Sequence, residues 1–264
     1  MRVGYFQFRP VFGKPEANCR RVVQALSEVE ADLVVIPELP FTGYLFQDRR
    51  ELTAMAEDPK RSAIVDSLIA LCRERGMHLV TGFAEKARDK VFNSALLLGP
   101  RGLLQTYRKI HLFNLEKRWF DPGDLPFRVK RVRGVRVGTM ICFDWVFPEA
   151  TRALALQGAE LIAHPSNLVL DYCQRVMVAR CIENGVFAIT TNRFGEDRRP
   201  DGTVRFTGRS QIVDPKGEVL NRAPTQRTRL FVTEIDPTIA RNKMITPRNH
   251  LLKDRRPGFY GVRS

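Results

Sequence analysis

Apolar runs and amphipathic stretches alternate along most of this chain. Val3 to Phe8 reads as a strand, and Glu16 to Glu30 as a helix that carries Val22, Val23, Leu26 and Val29 on one face. Asp32 to Ile36 is a short buried strand. Pro59 to Arg75 is a second helix, with Ile64, Leu68, Leu71 and Cys72 turned inward and Gly76 as its stop. Leu79 to Ala84, Phe92 to Leu98 and Leu103 to Tyr107 follow as strands, the last two joined by the turn Gly99-Pro100-Arg101-Gly102. After Lys109 the pattern lapses into a loop that lasts to Pro126. Strands are then expected at Phe127 to Val132 and Val135 to Cys142, hinged at Gly134. Pro148 opens a helix to Gln157, because proline is well placed in a first helical turn. A strand at Leu161 to Ala163, a helix at Asp171 to Asn184 and a strand at Val186 to Thr191 come next. Gln211 to Asp214, Glu218 to Leu220 and Leu230 to Ile235 complete the strands, and Thr246 to Ser264 is a charged tail of little periodicity. Alternation of this kind predicts an α/β fold, with no internal repeat or linker, so residues 1–264 are expected to form one large domain.

Composition narrows the class. A hydrophobic share of 44% and a charged share of 27% are those of a soluble globular chain. No apolar stretch is long enough to span a membrane, and the N-terminus enters a strand at once, so no signal peptide is expected. Five cysteines, an odd number without metal-ligand spacing, argue against a disulfide framework. The net charge of +14 raises nucleic acid as a partner. However, the basic residues lie in short scattered clusters, such as Arg128 to Arg136 and Arg255-Arg256, outside any recognisable nucleic-acid module. No nucleic-acid or membrane partner is therefore expected.

Three segments place a reactive side chain just beyond a strand-like run, which is where α/β proteins build ligand sites. Val34-Val35-Ile36 leads to Glu38, Leu103-Leu104 leads through Tyr107 to Lys109, and Val135 to Ile141 leads to Cys142. A carboxylate, an ammonium and a thiol can serve as base, oxyanion donor and nucleophile. Each has a plainer reading taken alone. A cysteine at a strand end is usually a small buried hydrophobe, Glu38 a surface or capping carboxylate, and Lys109 a surface lysine beside Arg108. A thiol attacks as thiolate, and Lys109 is expected to favour that form at Cys142. Such a nucleophile needs reducing surroundings, which fits a cytoplasmic location. Cys19, Cys72, Cys173 and Cys181 fall on expected helices and read as packing residues. His111 and His164 read as structural, with no metal site in their spacing. Tyr44, Phe113, Trp119, Phe143, Trp145 and Asn167 flank these segments or the strand ending at Ala163, and are candidates to bind substrate.

In order, Pro37-Glu38, Tyr107-Arg108-Lys109-Ile110-His111-Leu112 and Cys142-Phe143-Asp144 resemble the motifs of the nitrilase superfamily of carbon–nitrogen hydrolases. Thr42-Gly43-Tyr44, Phe120-Asp121-Pro122-Gly123, Phe147-Pro148-Glu149, Arg180, Glu183-Asn184, Asn192, Gly195 and Gly208-Arg209-Ser210 fit the same pattern. The resemblance implies an α-β-β-α sandwich with a Glu38-Lys109-Cys142 triad. It also implies that the main-chain N–H of Phe143 assists Lys109, and that Glu116 is a second catalytic glutamate. It implies neither cofactor nor metal. Subunits would pair as a homodimer or higher homo-oligomer through the helices near 148–157 and 171–184, with the tail at about 246–264 crossing to the partner. Asp144, in place of a glutamate two residues after the nucleophile, and the apolar Trp145-Val146 lean toward small neutral amides, making an amidase that works through an acyl-thioester on Cys142. The alternatives are a nitrilase, an N-carbamoyl amide hydrolase, or a catalytically inert binding protein on the same fold.

Overall fold

The protein is described by a computed structural model covering residues 1–200 and 202–261. Two six-stranded mixed sheets form its centre. The first has the order β14-β1-β2-β3-β4-β5, built from β1 (Arg2–Gln7), β2 (Leu33–Val35), β3 (His78–Ala87), β4 (Lys90–Gly99), β5 (Gly102–Arg108) and β14 (Arg229–Glu234). The second has the order β13-β12-β9-β8-β7-β6, from β6 (Val129–Val132), β7 (Val135–Thr139), β8 (Leu161–Pro165), β9 (Phe187–Thr191), β12 (Gln211–Val213) and β13 (Val219–Arg222). The hairpin of β10 (Phe194–Arg199) and β11 (Gly202–Thr207) stands apart from both.

Period-two alternation sorts the first sheet's side chains between two cores. Val3, Tyr5, Val35, Val80, Ala95 and Leu97 face the second sheet, meeting Val137, Ile162, Ala163 and Ile189. Their neighbours Phe6, Val34, Leu79, Leu96 and Leu98 face outward onto α1 (Pro15–Leu26) and α3 (Ala63–Arg75), which cover them with Val22, Leu26, Leu68 and Leu71. Strands buried on both faces read as unbroken apolar runs, as these do. On the far side, α5 (Pro148–Leu156) and α6 (Cys173–Asn184) pack Leu154, Met177 and Cys181 against the second sheet. The layers are therefore helix, sheet, sheet, helix, as expected. Among the described residues, no helix is long and apolar enough to cross a membrane.

Several element boundaries differ from the sequence pattern. The first helix ends at Leu26 rather than Glu30, and α3 starts only at Ala63 because the Ser62 hydroxyl accepts from Val65 N. The stretch after Glu38 contains α2 (Arg49–Met55), capped by Asp48, which accepts from Glu51 N. The expected loop after Lys109 holds the single turn α4 (Glu116–Trp119). The strand expected to reach Cys142 ends at Thr139, and Cys142 instead begins a 3-10 helix, Cys142–Val146. The charged tail folds in part: α7 (Thr238–Arg241) precedes a small hairpin of β15 (Met244–Thr246) and β16 (Asn249–His250). The last three positions of that tail lie outside the described residues.

One close approach between backbones sets where the Glu38 segment lies. Gly82 in β3 donates its N–H to Pro37 O at 3.0 Å, and a Cβ there would lie 2.4 Å from Leu39 N and 2.5 Å from Glu38 Cα. Gly82→Ala must push the Glu38 segment away. It is expected to cost about 1–3 kcal/mol in urea unfolding, the range for overpacking a core. Gly258→Ala, at a site with open space, is expected to stay within about 0.5 kcal/mol of wild type.

Candidate active site

Glu38 follows β2, whose continuation is held by Ile36 N donating to Val80 O. The chain then turns sharply, with Leu39 at φ +44°. The Glu38 carboxylate is completely buried. Its Oε1 accepts from Lys109 Nζ at 2.7 Å and from Asn93 Nδ2 at 2.6 Å. Its Oε2 is buried with no hydrogen-bond partner.

Lys109 follows β5. Asn93 O accepts from its N–H at 2.8 Å, and its own carbonyl accepts from Gly123 N at 2.9 Å. A Cβ on Gly123 would sit 2.2 Å from Arg108 O, so only glycine permits that approach. Glu116 opens α4 and closes the other side of the ammonium, with Lys109 Nζ 2.8 Å from Glu116 Oε1. Oε1 also accepts from the Tyr44 hydroxyl at 2.7 Å, and Oε2 from Phe113 N at 3.0 Å. Burial alone would pull the Lys109 ammonium down, but Glu116 and Glu38 outweigh it and hold its pKa above the usual lysine range. Burial raises the Glu116 carboxyl, Lys109 opposes that rise, and Glu38 adds to it.

Cys142 is delivered by the second sheet, just after Met140 N donates to Ala163 O. Its φ of +38° puts the nucleophile candidate at a left-handed elbow, which costs on the order of 1–3 kcal/mol and persists only where the surroundings enforce it. Here they do. Asp144 Oδ2 accepts from Ile141 N at 2.8 Å and from the Tyr107 hydroxyl at 2.7 Å. Asp144 Oδ1 lies 2.7 Å from His111 Nδ1. The Cys142 carbonyl lies 2.9 Å from His164 Nε2, and Arg180 donates to the carbonyls of Trp145 and Val146. Burial pushes the His164 imidazole down to about 4, so near neutral pH it is uncharged and Nε2–H is the donor to Cys142 O. Both histidines are structural supports of the elbow.

The thiol environment differs from expectation. Lys109 was to favour a thiolate, yet burial raises the Cys142 pKa well above the usual thiol range and Glu38 and Glu116 raise it further; Lys109 and the main-chain N–H of Asn167 pull the other way without prevailing. One ammonium shared by two carboxylates does not outweigh the burial of the thiol. The other four cysteines are buried too, and burial raises each, Cys19 to about 11 and Cys72 to about 12.

The six expected pocket residues divide between two spaces. Phe113, Phe143, Trp145 and Asn167 line a tight chamber at Cys142, closed by Leu168, Val169 and Leu170, with free room of about 10 Å³. That is enough for about one water molecule. Tyr44, Trp119 and again Phe113 line a neighbouring cleft of about 360 Å³, together with Val169 and the hairpin residues Thr203, Val204 and Arg205. Phe113 and Val169 border both spaces. Both polar atoms of the Asn167 carboxamide are buried without partners. Arg175 is exposed on α6 and lines neither space. Sequence reasoning missed Asn93, Val169 and the β10–β11 hairpin. Only the alternation Thr203-Val204-Arg205-Phe206 hinted at the hairpin. No group of three or more metal-ligating side chains that could hold a metal ion occurs among the described residues.

A sequence profile described as carbon–nitrogen hydrolase matches residues 2–243. The chain is 43% identical over 263 residues to a nitrilase of Pyrococcus abyssi, covering 98% of this chain and 99% of that one. It is 35% identical to an (R)-stereoselective amidase of a Pseudomonas species, covering 97% and 92% of the two chains. The crystal structure of a carbon–nitrogen hydrolase from Helicobacter pylori G27 superposes with a TM-score of 0.89 at 26% identity, covering 98% of this chain and 97% of that one.

The neutral, buried His164 has a consequence for stability. The unfolded chain binds a proton at this imidazole below about 6.5, the folded protein only below about 4. Its contribution is therefore complete above pH 6.5 and is lost as pH falls toward 4, a loss on the order of 3 kcal/mol. Denaturant titrations of wild type and His164→Gln between pH 7 and 4 should show a steeper decline for wild type. Parallel declines would remove His164 as the cause.

Proposed function

The chain belongs to the carbon–nitrogen hydrolase family, and we propose that within it this protein is a nitrilase, converting a small nitrile to its acid and ammonia through a thioester on Cys142. The observation that carries the chemistry is the unpartnered Glu38 Oε2, a buried acceptor beside an ammonium and a protonated thiol. A buried thiol needs its proton removed as it attacks. In the proposed route, Sγ bonds to the nitrile carbon while its proton passes to Glu38 Oε2 and on to the nitrile nitrogen, giving a thioimidate. Water adds to that carbon, ammonia leaves with protons relayed by Glu38, and an acyl-thioester remains. A second water, deprotonated by Glu38, releases the acid and restores the thiol. Lys109 Nζ and the N–H of Phe143 stabilise the negative charge that develops at each addition, a contribution of about 3–4 kcal/mol per donor. Glu116 holds the ammonium from behind. Phe113, Phe143, Trp145 and Asn167 receive the substrate.

The nitrile reading replaces the lean toward amides. That lean rested on Asp144 for the amide and on the apolar Trp145-Val146 for a neutral substrate; Trp145 does line the chamber, but Asp144 faces Ile141 N, Tyr107 and His111 instead. It braces the elbow and carries no information about the leaving group. The similarity to a nitrilase along nearly the whole chain then weighs most. An amide is the second reading, supported by the similarity to an (R)-stereoselective amidase. It enters the same route at the tetrahedral stage. We further infer a homodimer or higher homo-oligomer. Among the apolar residues expected at the paired helices, Leu154 is fully buried within the subunit, while Leu156 and Ile182 are about half exposed. Met244 and Ile245, just before the tail, and Phe259 and Tyr260 within it are exposed as well.

Three measurements test these readings. Ammonia release from a small aliphatic nitrile and from its matching amide should favour the nitrile about tenfold in kcat/KM, about 1.4 kcal/mol of transition-state stabilisation. The reverse order makes the amide reading correct. Cys142→Ala should lower kcat by about 10⁴-fold or more with an unchanged unfolding transition, whereas activity near wild type would leave only an inert binder or a different nucleophile. Light scattering should give at least twice the 30.2 kDa chain mass, and Ile182→Glu should lower it. A fully active monomer would overturn the assembly.

A further inference from the structure

The strongest unassigned group lies beyond the chamber, in the loop after β9 and the β10–β11 hairpin. Arg193 is fully buried and Asp197 nearly so. Their pairing is bidentate, with Nη2 2.8 Å from Oδ1 and Nη1 3.1 Å from Oδ2. Burying an ion pair brings little net stability and is often matched by apolar packing, so its geometry is the informative part. Asp197 Oδ2 also accepts from the main-chain N–H groups of Tyr44, at 3.1 Å, and Leu45, at 3.3 Å. A second route starts from Arg193, whose guanidinium lies 4.1 Å from the centroid of the Phe206 ring. Phe206 in turn meets Tyr44 edge-on, with centroids 5.8 Å apart at 88°. Both routes converge on Tyr44, and the Tyr44 hydroxyl donates to Glu116 at 2.7 Å.

We propose that Arg193 and Asp197 are positioning residues for Glu116, acting through Tyr44: the ion pair fixes the Tyr44 main chain and ring, and thereby the hydrogen bond that holds the carboxylate against Lys109. This deepens the reading of Glu116 as part of the active site and rests on it. It also connects that carboxylate to the outer cleft, because the hairpin bearing Asp197 and Phe206 supplies the cleft residues Thr203, Val204 and Arg205. A hydrogen bond to the ionised form of a carboxyl favours ionisation. Loosening it raises the pH at which Glu116 takes up a proton.

The test is a double-mutant cycle of Asp197→Asn and Tyr44→Phe with two readouts. The first is the pH profile of kcat and KM on whichever nitrile or amide the wild type hydrolyses. The second is the pH profile of Cys142 alkylation by iodoacetamide, followed by mass spectrometry. The second needs no turnover, so failure of the nitrile reading and failure of this proposal are distinguishable. Asp197→Asn should lower kcat by about tenfold to a hundredfold, the scale of small misplacements in a site, with KM changed less, and should move the acid limb to higher pH. Tyr44→Phe should do the same, and the double variant no more than either alone, in both readouts. Multiplying effects, or a fall in melting temperature with both pH profiles unmoved, would overturn the proposal. Phe206→Leu, which leaves the ion pair intact, provides the same readings should Asp197→Asn fail to fold. Its effect on either profile should likewise vanish in the Tyr44→Phe background, and persistence there would count against the role of Tyr44.

Discussion

The Lys109 ammonium, with no exposed side-chain surface and a carboxylate on either side, is the constraint on which the rest of the site depends. A lone buried ion is costly by several kcal/mol, so it must be paired and hydrogen-bonded. Glu38 comes from beyond β2 and Glu116 from the loop after β5, so the ammonium binds two separate stretches of chain to the same sheet. One cation between two anions leaves an excess of negative charge. Burial, with that excess added to it, keeps the nearby thiol protonated and makes proton transfer a required part of attack. One oxygen of Glu38 has no partner while the other is held by Lys109 and Asn93; in the proposed route the first receives the proton and the second fixes the carboxylate in place.

The nucleophile candidate comes from the opposite sheet, so the two sheets must be held in register for it to meet the carboxylate. Side chains buried between them achieve this. Tyr107 at the end of β5 reaches across to Asp144, which holds Ile141 N just before the elbow, and Val80 and Ala95 pack in the same core as Cys142. Leu39 and Cys142, which flank the two halves of the site, both stand at left-handed φ, as does Asn114 in the loop between Lys109 and Glu116. Glycine is used where backbones nearly touch, at Gly82 behind Glu38 and Gly123 behind Lys109.

Much of this was legible in the sequence where burial writes a pattern. Strands covered on both faces gave unbroken apolar runs, and the reactive residues stood at the ends of three of them. The parts that were not legible depend on physics that one-dimensional pattern does not record. The α2 segment Arg49–Met55 and the β10–β11 hairpin carry charges on exposed or ion-paired faces, so neither shows a continuous apolar stripe. The direction of Asp144 depends on the elbow, which depends on a positive φ at a non-glycine residue, and no residue type announces that. The thiol's protonation depends on burial first and then on how many carboxylates share one ammonium. The sequence order Glu38, Lys109, Glu116, Cys142 does not reveal that both carboxylates bond the same nitrogen.

Shape and hydrogen-bonding capacity in the chamber bear on the choice of substrate. The space at Cys142 holds about one water, and Phe113 and Val169 separate it from the larger cleft. A nitrile is linear at the reacting carbon and has no N–H group to satisfy. An amide is planar there and brings two N–H donors. Both oxygens of Glu116 are already occupied, by Lys109 and Tyr44 on one side and Phe113 N on the other. Unpartnered buried acceptors around the site include Glu38 Oε2, Asn93 Oδ1 and the Asn167 carboxamide oxygen. An amide must find acceptors for two N–H groups there, whereas a nitrile leaves Glu38 Oε2 free for the thiol proton. On the proposed route the arrangement therefore asks less of a nitrile than of an amide.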